Sequence, residues 1–277
     1  MGWQERLGRL GVWRNVAHVD VELARTIEEL GYGTVWQGGS PDADLGAAEE
    51  LLDGTDGLVV ATGIVNIWKS DAAELAESYH RVAARHPGRL LLGIGSGHRE
   101  ATPERAKPLE AMARFLDVLD ERGVPTDALV LSALGPRMLA MAAERSAGTH
   151  PYLTVASQTA EAREALGAGA LIAPEQTVVL DPDVRSARAT ARAFLANYLR
   201  MSNYTTSMRR AGFTEEDIAE GGSDRLVDGI VAHGDAAALA AAVTAHLDAG
   251  ADQVCVQVLP ASGSPVPTLR ALADALA

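Results

Sequence analysis

Gly57-Leu58-Val59-Val60-Ala61-Thr62-Gly63-Ile64 is a continuous, β-branched, largely apolar run of strand length, the pattern of a strand buried on both faces of a parallel sheet. A helical pattern over about 72–85 follows it and leads into a second such run, Arg89-Leu90-Leu91-Leu92-Gly93-Ile94. On the N-terminal side, residues 19–30 place apolar side chains at helical spacing and stop at Gly31, after which Thr34-Val35-Trp36-Gln37 reads as a strand. Strand and helix therefore alternate on both sides of the run, which is the signature of βα units.

Extending outward, Leu10-Gly11-Val12-Trp13 opens the series, a short helix covers about 43–52, and Pro103 opens a long helix running to Arg122. Strands at 128–133, 148–152, 170–180 and 252–258 alternate with helices near 136–145 and 159–166, and residues 183–249 are mostly helical. The count of eight strand candidates in a chain of 277 residues predicts an α/β fold of the (β/α)8 TIM barrel type, whose typical size is about 250 residues. The helical surplus forms an insertion between strands seven and eight. A doubly wound sheet would use fewer strands per domain and show a dinucleotide fingerprint after the first. No linker, repeat or low-complexity segment divides the chain, so residues 1–277 are expected to form one domain.

Composition narrows the function. Hydrophobic residues make up 47% and charged residues 22%, which excludes disorder as the main state. No apolar run approaches the ~18 residues of a membrane span. The opening MGWQERLGRLGVW carries charge where a signal peptide would be apolar, and Arg6 breaks a myristoylation motif, so a cytoplasmic location is expected. With 24 basic and 37 acidic residues the net charge is −13, which argues against nucleic-acid partners and makes any anionic ligand depend on a local positive site. The single cysteine, Cys255, lies in an apolar run and reads as core.

In a barrel the working residues stand at the C-terminal strand ends. Those positions are Gly38-Gly39-Ser40, Gly63-Ile64 with Asn66 and Trp68, Gly95-Ser96-Gly97-His98-Arg99-Glu100, His150-Pro151-Tyr152-Leu153-Thr154, Glu175-Gln176 and Gln257. The seven histidines show neither HxH nor HExxH spacing, and no metal site is expected. Ser40 lacks a GxSxG elbow, and Lys69 and Lys107 sit on helices, so neither a triad nor a Schiff base is indicated. The strand ends are short of acid, base and nucleophile but rich in glycine and amide, which suits a cofactor that carries the reaction itself. Trp36 reads as packing inside the barrel, whereas Trp68, in a loop with Asn66, reads equally as a ligand wall.

The segments ARTIEELGYGTVWQGGS, VVATGIVNIW and HPGRLLLGIGSGH resemble the luciferase-like monooxygenase superfamily. HPYLT, APEQTVVL and DRLVDGIV…HLDAGADQVCVQVL are similar to its F420-dependent oxidoreductase subgroup, and the likeness spans essentially the whole chain. The resemblance implies a (β/α)8 barrel that binds coenzyme F420, or alternatively FMN, at its C-terminal mouth, with a cis peptide at Gly63–Ile64. The implied cofactor contacts are Gly38, Gly39 and Ser40 at strand two, Gly63, Ile64 and Asn66 after strand three, and Gly95, Ser96, Gly97 and His98 after strand four. His150, Tyr152, Leu153 and Thr154 complete the set near the phosphate side. The chain departs from the subgroup's best-known dehydrogenases at the strand-two end and after the glycine turn, where Gly39, Ser40 and His98 replace a histidine and acidic residues. The acid/base role then falls to His98, Ser40, His150 or Glu175, and Arg14, Arg99, Arg209 and Arg210 are candidates for the anionic tail. The implied activity is hydride transfer between the deazaflavin and a small organic substrate in a homodimer. An FMN-dependent monooxygenase and a ligand-binding barrel without turnover are the alternatives.

Overall fold

In the computed structural model, which describes residues 2–98 and 107–277, the described residues form eleven strands, every neighbouring pair parallel. These are β1 (Leu10–Asn15), β2 (Thr34–Gly38), β3 (Val59–Thr62), β4 (Val65–Asn66), β5 (Leu90–Gly95) and β6 (Leu129–Leu131). The remainder are β7 (Gly148–Thr149), β8 (Leu171–Ile172), β9 (Glu175–Leu180), β10 (Val231–Gly234) and β11 (Val254–Val258). Eight ring positions account for ten of them. β4 continues β3 beyond a bulge at Gly63–Ile64, and β9 continues β8 beyond Ala173-Pro174. β8 pairs with β7 while β9 pairs with β11, and β1 lies between β11 and β2, so the curled sheet meets itself. Bonds from Asp252 N to Ile172 O (2.9 Å) and Cys255 N to Pro174 O (2.8 Å) fasten that seam.

The predicted strand at 170–180 is thus two, split where Pro174 has no N–H to give a ladder. The other correction is β10. It lies inside the stretch expected to be helical and pairs with Thr177–Leu180 on the edge of β9 opposite β11. The preceding helix Asp224–Ile230 runs straight into Val231, so no turn signal marks the change.

Helices begin where the chain supplies caps. Asp20 accepts from Leu23 N, and Asp71 accepts from Ala73 and Glu74 N, each satisfying first-turn donors. Pro136 and Pro108 stand in the first turn of their helices, where a missing N–H costs nothing. Pro103, expected to open the latter helix, lies outside the described residues, which show it from Pro108 to Glu121.

Inside the barrel Trp36, Ala61, Leu91, Val130, Ala173 and Cys255 pack together, with Leu7 among them. Trp36 is fully buried as expected, stacked on His150 at 4.0 Å and donating from Nε1 to Gln253 Oε1. The main core lies between the ring and its helices. A separate apolar cluster, built from Tyr152, Leu153, Tyr204, Met208 and Phe213 among others, joins the insertion to the strand ends. Among the described residues no helix is long and apolar enough to cross a membrane.

Candidate active site

The C-terminal strand ends and the insertion enclose a cavity of about 760 Å³. That volume lies within the range of sites for cofactors and small ligands. Its floor is Trp13, Asn15, Gly63, Ile64 and His150, and one side is Gly39, Ser40, Asn66, Ser96, Gly97 and His98. The helix Ser202–Arg210 supplies Asn203, Tyr204, Thr206 and Arg210, while the turn before Pro136 brings Ser132, Leu134 and Gly135, and the first turn of the helix that Pro136 opens brings Arg137 and Met138. Sequence reasoning places the first group and misses most of the second. The insertion has no strand end to mark it, and its wall positions are ordinary polar residues on an amphipathic helix.

Of the expected cofactor contacts, Gly39, Ser40, Gly63, Ile64, Asn66, Ser96, Gly97, His98, His150 and Tyr152 line the cavity. Gly38, Gly95, Leu153 and Thr154 do not. Gly38 lies against the Trp13 ring, where a Cβ would stand 1.9 Å from an indole carbon. Gly95 faces the Ile64 side chain, which a Cβ would approach to 2.6 Å. The glycines at the end of β5 thus differ in role. Gly93 and Gly95 admit the neighbouring bulge, whereas Gly97, at φ +54°, turns the chain toward the cavity beside the Asn66 amide. The Gly63–Ile64 peptide is cis. Leu153 and Thr154 pack beneath the wall, Leu153 at positive φ.

Glu175, expected to be an acid/base, is also away from the cavity. It is fully buried, accepts from Leu153 N at 3.2 Å and from Thr177 Oγ1 at 2.5 Å, and so ties β9 to the segment carrying Tyr152. Burial outweighs these bonds and pushes its carboxyl up to about 7. Trp68 likewise stands behind the wall, its Nε1 donating to Ser96 O at 2.8 Å and holding the β5 turn.

His98 is half-buried, with Nδ1 3.3 Å from Asn203 Oδ1 and its ring 5.2 Å from Tyr204. Because an amide oxygen only accepts, Nδ1 is the donor in this contact. Ser40 holds a left-handed backbone (φ +60°) at the wall, a conformation that costs a non-glycine residue ~1–2 kcal/mol. The Tyr152 hydroxyl donates to Gln257 Oε1 at 2.7 Å and meets the Tyr198 hydroxyl at 3.0 Å. Burial holds Tyr152 well above its ordinary range, so it acts as a neutral hydrogen-bonding group.

Charge around the cavity is one-sided. Lys69, Arg137 and Arg210 line it, and no aspartate or glutamate does among the described residues, although the whole chain carries −13. Arg210 also donates to Leu134 O, which draws the insertion to the β6 turn. Of the arginines proposed from sequence, only Arg210 is placed here. Arg14 is buried and bonded to His18 O and Gly263 O, Arg209 pairs with Glu215, and Arg99 lies outside the described residues. Among the described residues no group of three His, Cys, Asp or Glu converges to hold a metal.

Residues 13–122 match the family described as luciferase-like monooxygenase. No curated protein matches the chain by sequence. Solved structures with the same fold include an F420-dependent secondary alcohol dehydrogenase in complex with an F420-acetone adduct, at 13% identity and TM-score 0.75 over 97% of this chain and 99% of that one. The coenzyme F420-dependent tetrahydromethanopterin reductase of Methanopyrus kandleri matches at 15% identity and TM-score 0.76, over 97% and 98%. The oxygenating constituent of 3,6-diketocamphane monooxygenase of Pseudomonas putida, solved with FMN, matches at 14% and 0.70, over 96% and 95%.

Proposed function

We propose, from the luciferase-like monooxygenase pattern of residues 13–122 and the TIM-barrel-like fold, that this chain is an F420-dependent oxidoreductase acting on a small organic substrate. The observation that carries the reading is the cavity's charge: three cationic side chains and no described carboxylate, in a strongly acidic protein. Such a rim suits a ligand that brings several negative groups, as a deazaflavin with a phosphate and a glutamate tail does. The walls fit the flat end of that molecule. Gly39, Gly63 and Gly97 offer bare backbone to a ring, and Asn15, Asn66 and Ser96 supply neutral hydrogen-bonding groups around it.

When bound, the deazaflavin supplies hydride chemistry at one carbon of its ring. The chain's own part is placement and proton handling. Lys69, Arg137 and Arg210 receive the anionic end, Gly63 and Ile64 support the ring, and Tyr152, Tyr198 and Tyr204 close the side facing the insertion. Holding donor and acceptor in line removes most of the orientational cost of the transfer. His98, on the cavity wall beside Asn203, exchanges a proton with the substrate heteroatom. A cytoplasmic homodimer, acting apart from nucleic acid and membranes and with residues 1–277 as one domain, belongs to the same reading.

The test is a paired fluorescence titration of the purified protein with F420 and with FMN at moderate salt. F420 is expected to bind at least tenfold tighter; tight binding of FMN alone would move the protein to flavin-dependent monooxygenation. Arg210→Glu, which reverses one rim charge, is expected to weaken F420 binding at least tenfold and to weaken it less as salt rises. His98→Ala is expected to slow turnover about a hundredfold while leaving cofactor affinity within twofold. Unchanged turnover would remove His98 from proton transfer.

A further inference from the structure

The insertion helix Ser202–Arg210 carries four of the cavity's wall residues, Asn203, Tyr204, Thr206 and Arg210, yet little in its own composition fixes where it lies. Only Tyr204 and Met208 bring large apolar side chains to the cluster beneath it, and hydrophobic burial is non-directional. A directional tie comes from outside the cavity. Gln158, in the first turn of the helix Ala156–Leu166, is 7% exposed and does not line the cavity. Its Nε2 donates to Ser207 Oγ at 2.9 Å and to Ser207 O at 3.2 Å, while its Oε1 accepts from Val155 N at 3.2 Å. The orientation of this amide is unambiguous, because a backbone N–H only donates and a backbone carbonyl only accepts. Ser207 is buried on the helix that it belongs to. Val155 follows the segment of Tyr152 and Leu153, which Glu175 ties to β9. One carboxamide therefore joins the insertion helix to the strand-end segment carrying Tyr152, whose ring lies 6.0 Å from that of Tyr204.

We propose that Gln158 is a positioning residue for the cationic rim: through Ser207 it sets the depth and rotation of the insertion helix, and so the place of Arg210. Arg210 lies three residues beyond Ser207, ~4.5 Å along the helix axis and within one turn, so a shift at Ser207 reaches it undiminished. The bond of Arg210 to Leu134 O is made from the guanidinium, the end of a side chain with much rotamer freedom, which follows the helix rather than placing it. The contact of Asn203 with His98 is made at the cavity wall itself. An apolar residue in place of Gln158 deprives Val155 N and Ser207 Oγ of this partner, and buried polar groups left so are costly. The helix then moves to satisfy them elsewhere, and the guanidinium moves with it. The inference rests on the reading of the rim as an anion site. It is tested with pyrophosphate rather than F420, so that its failure and that of the deazaflavin reading are told apart.

The experiment is calorimetric titration of the purified full-length protein with pyrophosphate at low salt, arranged as double-mutant cycles. Pyrophosphate is expected to bind the unaltered protein, and Arg210→Glu to weaken that binding about tenfold. Gln158→Leu is expected to weaken it about fivefold by itself, and in that background Arg210→Glu to cost no more than about twofold, because the guanidinium has already left its place. A loss of stability alone does not produce such coupling between a residue behind the wall and one on it. Ser207→Ala, which keeps the carbonyl acceptor, is the milder variant. It is expected to cost about threefold, and together with Arg210→Glu about tenfold instead of about thirtyfold. If Gln158→Leu does not fold, this second cycle decides. Additive losses in the cycle read overturn the positioning role, as does unchanged affinity in a folded Gln158→Leu. Failure of the unaltered protein to bind pyrophosphate removes the anion-holding rim and the assignment with it, whereas the F420 titration reports on deazaflavin binding by itself.

Discussion

Gly93→Ala is expected to destabilise the protein by at least ~3 kcal/mol and to prevent accumulation of soluble folded chain. A Cβ at Gly93 would stand 1.9 Å from the Thr62 carbonyl oxygen. That atom is backbone, so no rotamer change relieves the clash. The two strands are also locked to each other, because the Thr62 hydroxyl donates to Gly93 O at 2.9 Å and accepts from Gly93 N at 2.8 Å. Relief requires β3 and β5 to part, which opens the ring and exposes Ala61 and Leu91. Gly169→Ala is the matched control, since a Cβ there meets nothing within 4 Å. Its expected effect is within about 0.5 kcal/mol. Denaturant unfolding of both variants decides the matter, and a Gly93→Ala midpoint close to that of the unaltered protein would contradict the close approach.

The second large effect is on pH dependence. Burial holds His150 and His246 at about 4, below their ordinary value, and holds Glu175 at about 7, above its ordinary value. A depressed histidine contributes stability that is full above about pH 6.5 and is lost as pH falls toward 4. A raised carboxyl does the reverse, contributing stability that is full below about 4.5 and lost as pH rises through 7. At pH 5 the unfolded chain holds close to two protons on these histidines and at pH 6.5 about one, while the folded chain holds close to one on Glu175, falling to about three quarters. From these three groups the difference is about one proton at pH 5 and shrinks toward about a quarter by pH 6.5, so stability rises with pH by about 1 kcal/mol per unit on average over this range and flattens at its upper end. Glu175→Gln removes the opposing proton, and the slope from the remaining two is expected to approach double. Unfolding free energies at pH 5.0, 5.75 and 6.5 measure it, and an unchanged slope in Glu175→Gln would show that the carboxyl is ionised in the folded chain throughout this range.

Much of the barrel was legible because the forces that make it act along the chain. Val59–Ala61 and Leu90–Leu92 are apolar on both faces, as strands under helices must be, and the aspartates at 20 and 71 mark helix starts by bonding to N–H groups two or three residues ahead. The division of 170–180 into β8 and β9 and the strand at 231–234 were not legible. The first depends on which neighbour each half meets, and the second on β9 offering the edge opposite β11. The site shows the same boundary. Strand ends at Gly39, Ser40, Gly63, Asn66 and Gly97 could be placed from the barrel rule, while Asn203, Tyr204 and Arg210 belong to an insertion helix whose position over the mouth is set by long-range packing.

By itself the sequence determined the alternation of elements, the barrel they build, and the turns at which chemistry could sit, because periodicity, capping and glycine placement are local properties of the chain. Only the tertiary structure decided what individual residues do. It withdrew Glu175 from the cavity and made it a buried brace, it turned Gly95 from a ligand contact into clearance for the neighbouring bulge, and it set Trp13 and His150 side by side at the floor. Those assignments depend on distances between residues as many as 137 positions apart in the chain, and hydrogen bonds, clashes and desolvation act over a few ångströms of space whatever the separation in sequence.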